Sequence, residues 1–250
     1  MVADLRRGTR SRHERLLALL RAGTTHVDDL AVTLGVSPST VRRDLARLTE
    51  QAAVTRTYGG ALTAAAFHER SLHERQRLEP AAKAAIGAAA ADLCPESGTI
   101  FLDSGSTCAR LAEQLVDRTG LTVVTRSPEI AVFLSGAPGL ESVLLGGTVP
   151  AKSHGLVGPL AALALERLVV DVAFLGGDAV HPAYGVGEPT LPEVAVKEKV
   201  TERARTIIVL ADATKLSPHA VPCWAPLPGA WTLVTNESDP DVLGPIALPG

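Results

Sequence analysis

The first 63 positions carry apolar residues at helical spacing in three short runs. A leucine-rich run predicts a first helix over residues 11–21, preceded by residues 1–9 as a loose basic tail. A second run predicts a helix over residues 27–34, which Gly35 ends. A short helix joined by a tight turn to the next one, as the second run is to the third, is typical of a helix-turn-helix module.

The third helix, predicted over residues 37–49, begins at a Ser37 cap with Pro38 in its first turn. Its apolar positions share one face, which we expect to be buried, and its other face is basic and polar. Such a face suits the major groove, although a solvated surface helix has the same pattern. The predicted DNA contacts are Ser37, Ser39, Thr40, Arg42 and Arg43, and Asp44 is expected to pair locally with Arg47 or Arg43.

Residues 53–62 combine β-branched residues with a glycine pair, which predicts a small hairpin, or wing, beside the third helix. Arg56, Tyr58 and Gly59 lie where a wing tip would touch the sugar-phosphate backbone. An ordinary solvated charge on a hairpin is the alternative for Arg56. The order of three helices and a wing therefore predicts a winged helix-turn-helix over residues 1–63.

Beyond residue 81 the pattern changes to short runs of Val, Ile and Leu that alternate with helices. This alternation predicts an α/β domain over residues 81–250, with a mostly parallel, Rossmann-like sheet covered on both faces. Ligands of such sheets bind beyond the carboxyl ends of the strands. The predicted strands cover residues 100–103, 121–125, 142–145, 171–175, 207–210 and 232–235.

Small polar residues follow the first of these strands, in the order Asp103, Ser104, Gly105, Ser106 and Thr107. Backbone N–H groups and hydroxyls at the start of a helix can close around an anion, so we expect a phosphate site. An ordinary N-cap turn made by Ser106 or Thr107 is the alternative. The loop is neither GxxxxGK nor GxGxxG, so neither ATP nor NAD is expected, and no cofactor or metal is predicted.

Later strand ends carry further candidates for this site. Two glycine pairs permit close approach of the backbone to a ligand, although tight turns would need them too. A lysine and an aspartate follow these pairs, and Asp212 with Lys215 could bind a hydroxyl and a phosphate, unless Lys215 only stabilises a helix end. The candidates of this group are Gly146, Gly147, Lys152, Gly177, Asp178, Asp212 and Lys215.

Charge separates the two predicted domains. Residues 1–60 contain ten Lys or Arg against six acidic residues, whereas the whole chain has a net charge of −3, so the remaining 190 residues carry −7. This asymmetry confines nucleic-acid contact to the N-terminus. Residues 64–80 are charged and predict a linker. Three widely spaced cysteines indicate buried free thiols, and the absence of a long apolar run predicts a cytoplasmic protein without membrane contact.

The segments LAVTLGVSPSTVRRDLARL and RTYGGA resemble the N-terminal signature of the DeoR family of bacterial transcriptional repressors. The strand-end residues from Asp103 to Lys215 are similar to that family's effector domain, which is related to ribose-5-phosphate isomerase. The resemblance adds Glu193 and Lys197 to the effector-site candidates. Where the family often has Thr-Asn-Ser, this chain has Thr125-Arg126-Ser127, so Arg126 either contacts an anionic ligand or blocks part of the site.

The resemblance implies a non-enzymatic repressor of carbohydrate-metabolism genes, whose affinity for double-stranded operator DNA is controlled by a phosphorylated sugar. Because one helix-turn-helix reads one half-site, we expect a dimer or a tetramer. A sugar-phosphate isomerase is the alternative, although its carboxylate and lysine pattern is incomplete here. A nonspecific architectural DNA binder conflicts with the acidic remainder of the chain.

Overall fold

The computed structural model describes residues 2–21, 24, 26–50, 54–57, 60–63, 69–216 and 221–238. The chain divides into two compact units, one of Met1–His68 with Pro218–Cys223 and the other of Glu69–Ser217 with Trp224–Gly250. The sequence analysis treats residues 64–80 as a linker. In the structure, the part of this segment from Glu69 onwards belongs to the second unit.

The first unit contains three helices followed by an antiparallel hairpin. The elements are α1 (Val2–Arg21), α2 (Val27–Leu34), α3 (Pro38–Glu50), β1 (Val54–Thr57) and β2 (Gly60–Thr63). The predicted helix-turn-helix and wing are therefore confirmed. The expectation of a loose tail over residues 1–9 is wrong, because α1 continues back to Val2. Residues in that stretch lack an apolar seam, so hydrophobic periodicity alone does not detect the first two turns.

The three helices of the first unit pack around a small apolar core. Leu16, Leu30, Val41 and Leu45 are each at most 1% exposed within it, which confirms the buried face predicted for α3. Ser37 begins α3 as predicted, because its hydroxyl accepts a hydrogen bond from the backbone N–H of Thr40 at 3.2 Å. The basic face of α3 is therefore held outward by packing on its opposite side.

The second unit alternates strands and helices. It contains α4 (Leu72–Arg77), α5 (Pro80–Ala91), β3 (Gly98–Leu102), α6 (Ser106–Gln114), β4 (Leu121–Thr125), α7 (Pro128–Leu134), β5 (Leu140–Leu144), α8 (Pro159–Leu165), β6 (Val170–Leu175), β7 (Ala179–His181), β8 (Gly185–Glu188), α9 (Leu191–Thr201), β9 (Ala204–Leu210), a 3-10 turn (Ala213–Lys215), β10 (Cys223–Ala225) and β11 (Thr232–Val234).

Six of these strands form one parallel sheet in the order β11-β9-β6-β3-β4-β5. These are the six strands that the sequence predicts, with boundaries that differ by no more than three residues. A second sheet, in the order β10-β8-β7, is not anticipated by the sequence analysis. Its strands β7 and β8 are only three and four residues long, so their periodicity is too short to recognise.

Both faces of the parallel sheet are buried, as the near-continuous apolar strands predict. Successive residues of β3 show this: Ile100 and Leu102 join one apolar cluster, while Phe101 joins another. Cys94, Cys108 and Cys223 are buried free thiols, as expected. Within the described ranges, no helix combines the length and the apolar character that a bilayer crossing requires.

Candidate functional site

A single buried carboxylate, Asp103, organises the carboxyl end of the parallel sheet. It follows β3 directly and is fully buried. One carboxylate oxygen accepts hydrogen bonds from the Ser104 backbone N–H at 2.8 Å and from Arg126 Nε at 2.5 Å. The other accepts from the Gly176 backbone N–H at 3.2 Å and from Lys197 Nζ. Asp103 therefore joins the ends of β3, β4 and β6 to α9.

Lys197 extends this network to a second carboxylate. Its ammonium lies 2.8 Å from Glu188 Oε1 and donates to the Gly176 carbonyl oxygen at 2.7 Å. Asp103, Arg126, Glu188 and Lys197 are each at most 3% exposed. We call these four residues the charged floor. Two carboxylates and two cations alternate in it, so each buried charge has an opposite neighbour.

The electrostatics of the charged floor differ between its two carboxylates. Burial alone would raise the pKa of Asp103, but the charges of Arg126 and Lys197 outweigh it and lower that pKa to about 2. Burial dominates at Glu188 and raises its pKa to about 7, although Lys197 opposes the shift. Asp103 is therefore ionised at neutral pH, whereas Glu188 gains or loses its proton close to neutral pH.

A cavity opens above the charged floor, entirely within the second unit. Loop residues and helix residues from several elements line it. The lining residues are Arg70, Arg75, Leu78, Lys83, Ser104, Gly105, Ser106, Thr107, Cys108, Arg126, Ser153, Gly176, Gly177, Glu188, Glu193, Asp212, Thr214 and Lys215. The predicted loop after β3 therefore meets residues from the last third of the chain.

The loop of residues 104–107 has the geometry of an anion cradle. Gly105 occupies the cap position of α6 with φ +118°, a conformation that side-chain-bearing residues rarely adopt. No side chain caps α6, so the alternative of an N-cap turn made by Ser106 or Thr107 is wrong. The first N–H groups of α6 are therefore available beside the buried Ser104 and Ser106.

A second group of charges stands on another wall of the cavity. Asp178 Oδ1 lies 3.0 Å from Arg75 Nη1 and 3.4 Å from Lys215 Nζ, so one oxygen serves two cations. Lys83 Nζ lies 3.9 Å from Asp212 Oδ2, and burial lowers the pKa of this lysine despite Asp212. Asp212 also accepts a hydrogen bond from the Thr214 backbone N–H at 3.1 Å.

Four buried polar atoms at this site have no hydrogen-bond partner among the described residues. They are Arg75 Nη2, Ser153 Oγ, Asp178 Oδ2 and Glu193 Oε1. The other oxygen of Glu193 accepts from the Thr190 hydroxyl at 2.7 Å. Buried polar groups are normally satisfied, so these atoms indicate positions at which a ligand or water would bond.

The structure brings most of the predicted effector residues together. Nine of them line the cavity: Ser104, Gly105, Ser106, Thr107, Arg126, Gly177, Glu193, Asp212 and Lys215. Asp103 and Lys197 lie in the charged floor, and Asp178 holds two lining cations. Arg126 does not stand free in the site, because Asp103 and the Gly155 carbonyl oxygen hold its Nε and Nη1.

The remaining three predicted residues neither line the cavity nor belong to the charged groups beside it. A Cβ on Gly147 would stand 2.4 Å from the Val157 carbonyl oxygen, so this glycine permits a close crossing of two backbone segments. Gly146 faces Leu160 in the same turn. Lys152 is exposed, and its ammonium donates to the Glu69 carbonyl oxygen at 3.0 Å. For the first glycine pair, the turn alternative is therefore the one that the structure favours.

Sequence reasoning missed several lining residues. Arg70 and Arg75 fall in the segment interpreted as a linker, and Ser153 and Glu188 carried no recognised motif. Lys83 offered a signal, because it is a lysine within an otherwise alanine-rich helix, α5, and is only 3% exposed. A buried lysine needs acceptors, which here are the Arg75 and Leu78 carbonyl oxygens.

Five of the predicted DNA contacts lie on α3 or immediately before it. Ser37, Ser39, Arg42 and Arg43 are exposed, and Thr40 is half-buried. Arg56 lies in β1, and its side chain is not described, while Tyr58 and Gly59 lie outside the described residues.

The predicted local partner of Asp44 is wrong. Asp44 is 2% exposed, and its carboxylate accepts hydrogen bonds from Arg12 Nε at 2.5 Å and from Arg12 Nη2 at 3.1 Å. His13 Nε2 lies 3.2 Å from the same carboxylate. Both partners lie on α1, more than 30 positions away, and local spacing along α3 cannot reveal them. Asp44 therefore attaches α3 to α1 on the side away from its basic surface.

Comparison with known proteins matches both units. A model described as the DeoR-like helix-turn-helix domain matches residues 12–66, and one described as the DeoR C terminal sensor domain matches residues 78–237. The HTH-type transcriptional repressor CsqR of Escherichia coli (strain K12) is 32% identical over 233 residues, which cover 93% of this chain and 89% of CsqR.

Two further proteins give the range of similarity. The glycerol-3-phosphate regulon repressor of Escherichia coli (strain K12) is 26% identical over 211 residues, or 84% of each chain. The solved structure of ribose 5-phosphate isomerase A from Methanocaldococcus jannaschii covers 53% of this chain and 52% of its own, with 19% identity and a TM-score of 0.39. Both of these bacterial relatives are named as repressors rather than enzymes, and this chain belongs to the DeoR family of DNA-binding transcriptional regulators.

Proposed function

We propose that this repressor acts on carbohydrate-metabolism genes and that a phosphorylated sugar, bound in the cavity of the second unit, controls its affinity for operator DNA. The observation that carries the proposal is one cavity that combines an anion cradle with buried, unpartnered hydrogen-bonding atoms. A phosphate group and several hydroxyls on one small molecule would satisfy both features.

The phosphate end of the ligand is assigned to the loop of residues 104–107. The α6 N-terminus favours negative charge there, and the loop hydroxyls add donors. The charge of the lining supports an anion, because it carries five basic residues (Arg70, Arg75, Lys83, Arg126 and Lys215) and three acidic ones (Glu188, Glu193 and Asp212). This excess of two positive charges compares with about −1.5 to −2 on a phosphate monoester at neutral pH.

The hydroxyl end of the ligand is assigned to Glu193 and Ser153. Glu193 Oε1 is an acceptor without a donor, and a sugar hydroxyl is a donor that also accepts. Ser153 Oγ, which is likewise unpartnered, can donate to or accept from a neighbouring hydroxyl. The name of one relative, the glycerol-3-phosphate regulon repressor, is consistent with a phosphorylated polyol as the signal.

The DNA-contacting residues are assigned to α3 and the wing. Arg42 and Arg43 would read bases or clamp phosphates, while Ser37, Ser39 and Thr40 would contact the backbone. Arg56, Tyr58 and Gly59 would contact the sugar-phosphate backbone from the wing. A dimer or tetramer would place two such helices about 34 Å apart on repeated half-sites.

A thermal-shift screen of the full-length chain tests the effector assignment. Sugar phosphates should raise the melting temperature, and the same sugars without phosphate should not, because binding at 100 times Kd adds about 2.7 kcal/mol to stability. Lys215→Met should reduce the shift, since this lysine lines the cavity. Lys199→Met is the matched control, because Lys199 pairs with Glu202 and Glu166 outside the lining. A panel without any phosphate-dependent shift would contradict the assignment.

A further inference from the structure

Residues Glu69–Glu79, which we call the strap, form one wall of the cavity and begin the second unit. The strap contains the short helix α4, capped by Ser71 and Glu74 in a reciprocal pair of hydrogen bonds. At its start, the Leu72 backbone N–H donates to the Lys152 carbonyl oxygen at 2.7 Å. The Lys152 ammonium returns a hydrogen bond to the Glu69 carbonyl oxygen. The strap is therefore fastened at its start to the loop that contains Ser153.

The other end of the strap is held by Lys83. Its ammonium donates to the carbonyl oxygens of Arg75 at 2.7 Å and Leu78 at 2.6 Å, which ends α4 with a buried positive charge. Lys83 itself lines the cavity. An anion bound there would therefore approach the same ammonium that fixes the strap.

Arg75 is the only strap side chain, among the described residues, that pairs with a carboxylate from beyond the strap. Its Nη1 binds Asp178 at 3.0 Å, and its Nε donates to the Arg70 carbonyl oxygen at 2.9 Å. Its Nη2 is buried and has no hydrogen-bond partner, although Glu69 Oε1 lies 3.7 Å away. Arg75 thus presents an unused donor at the cavity wall.

We propose that Arg75 contacts the anionic group of the effector in competition with Asp178, and that this contact makes the strap the element that responds to occupancy. The inference rests on the proposed function and adds to it the residues that transmit the signal. Ligand binding transfers the guanidinium and the Lys215 ammonium from Asp178 to the ligand. The strap is the covalent continuation of the first unit, since Glu69 follows His68 directly.

The charges determine the direction of the change. Asp178 Oδ1 satisfies Arg75 and Lys215 together, with distances of 3.0 and 3.4 Å, and each hydrogen bond is therefore shared. A phosphate monoester offers three acceptor oxygens, so both cations gain full charge-assisted bonds. Because Arg75 Nη2 also acquires a partner, the bound state holds α4 more firmly than the free state.

Amide hydrogen exchange of the full-length chain measures this change. The probes are inorganic phosphate and the sugar phosphate with the largest thermal shift. Binding should slow exchange of the α4 amides, Leu72–Arg77, by about 5-fold or more, the lower end of usual coupling between sites. In the Arg75→Gln variant, the α4 amides should exchange at the same rate with and without the probe. Arg77→Gln is the matched control on the same helix, because Arg77 is exposed and does not line the cavity.

Asp178→Asn provides a test with the opposite sign. Removing the competing carboxylate should tighten binding of the probe by about 10-fold, since the Arg75 and Lys215 charges are no longer neutralised. A purely structural role for Asp178 would weaken binding or leave it unchanged. Isothermal titration measures both variants and distinguishes these results.

Each outcome decides the proposal. A ligand that shifts the melting temperature but leaves α4 exchange unchanged refutes the strap response and leaves the proposed function intact. Protection that persists in Arg75→Gln, or weaker or unchanged binding in Asp178→Asn, refutes the assigned contact. If no phosphate compound stabilises the protein, the proposed function fails and this inference fails with it.

Discussion

Replacement of Asp103 by asparagine tests whether the charged floor is an integral part of the second unit. The carboxylate accepts from two backbone N–H groups and from two buried cations, Arg126 and Lys197. An asparagine keeps the volume but has one acceptor oxygen and one NH2 donor. Its NH2 group would therefore face hydrogen-bond donors that have no replacement acceptor.

The expected loss of stability can be bracketed. The pKa of Asp103 is lowered from 3.8 to about 2, which by proton linkage corresponds to about 2 kcal/mol at neutral pH. Breaking a buried ion pair by removing one partner costs about 3–5 kcal/mol, because the remaining charge is left uncompensated. Lys197 keeps Glu188 Oε1 at 2.8 Å as a second carboxylate partner, so we expect a value near the lower end, about 3 kcal/mol.

Urea denaturation of the full-length chain, followed through the unfolding of the second unit, measures this loss. Asp117→Asn is the matched control, because Asp117 is exposed and the chemical change is identical. The stabilisation by Asp103 is present above its ordinary pKa and is lost as the pH falls towards about 2. The free energies of unfolding of the unaltered chain and of Asp103→Asn should therefore come closer together in acid. A loss below about 1 kcal/mol at neutral pH would refute the assigned role.

Three further predictions concern other charged residues. Because burial raises the pKa of Glu188 to about 7, the folded chain retains a proton that the unfolded chain releases, and stability falls as pH rises from about 4.5 to about 7. Glu188→Gln should flatten this fall in melting temperatures recorded across that range. Asp44→Asn should cost the first unit about 1–3 kcal/mol by leaving Arg12 without its carboxylate, and faster amide exchange in α1 and α3 would report it. Arg43→Ala should weaken DNA binding by about 1–3 kcal/mol if Arg43 reads a base. Fluorescence anisotropy measures this on a site that the unaltered protein selects from random DNA. Unchanged binding would remove Arg43 from the reading surface.

Periodicity and strand-end composition predict much of this fold, because both signals are local. The α3 face follows from Val41, Leu45 and Leu48, which are all buried, and the β3 loop follows from residues 103–107. The α3 prediction depends on the burial of one helix face, and the loop prediction depends on the residues at the start of one helix. A short window of sequence contains both kinds of information.

The remaining features depend on tertiary contacts that no short window contains. Asp44 binds Arg12 across 32 positions, and Arg75 binds Asp178 across 103. Glu188 is a functional candidate only because folding buries it beside Lys197. Sequence spacing favoured nearer partners for Asp44 and suggested no role for Arg75 or Glu188, since it carries no information about which distant elements pack together.

The charged floor has a consequence for how the specificity of the proposed ligand site could be changed. Asp103 joins three strand ends through its hydrogen bonds, whereas Arg70, Arg75 and Ser153 belong to the strap and the loop fastened to it. We expect substitutions at these three positions to change which ligand the cavity prefers while leaving the joint between the strands intact. A library randomised at residues 70, 75 and 153 should therefore yield many folded proteins with an altered preference for the proposed ligand, whereas one randomised at residues 103, 126 and 197 should yield few that fold.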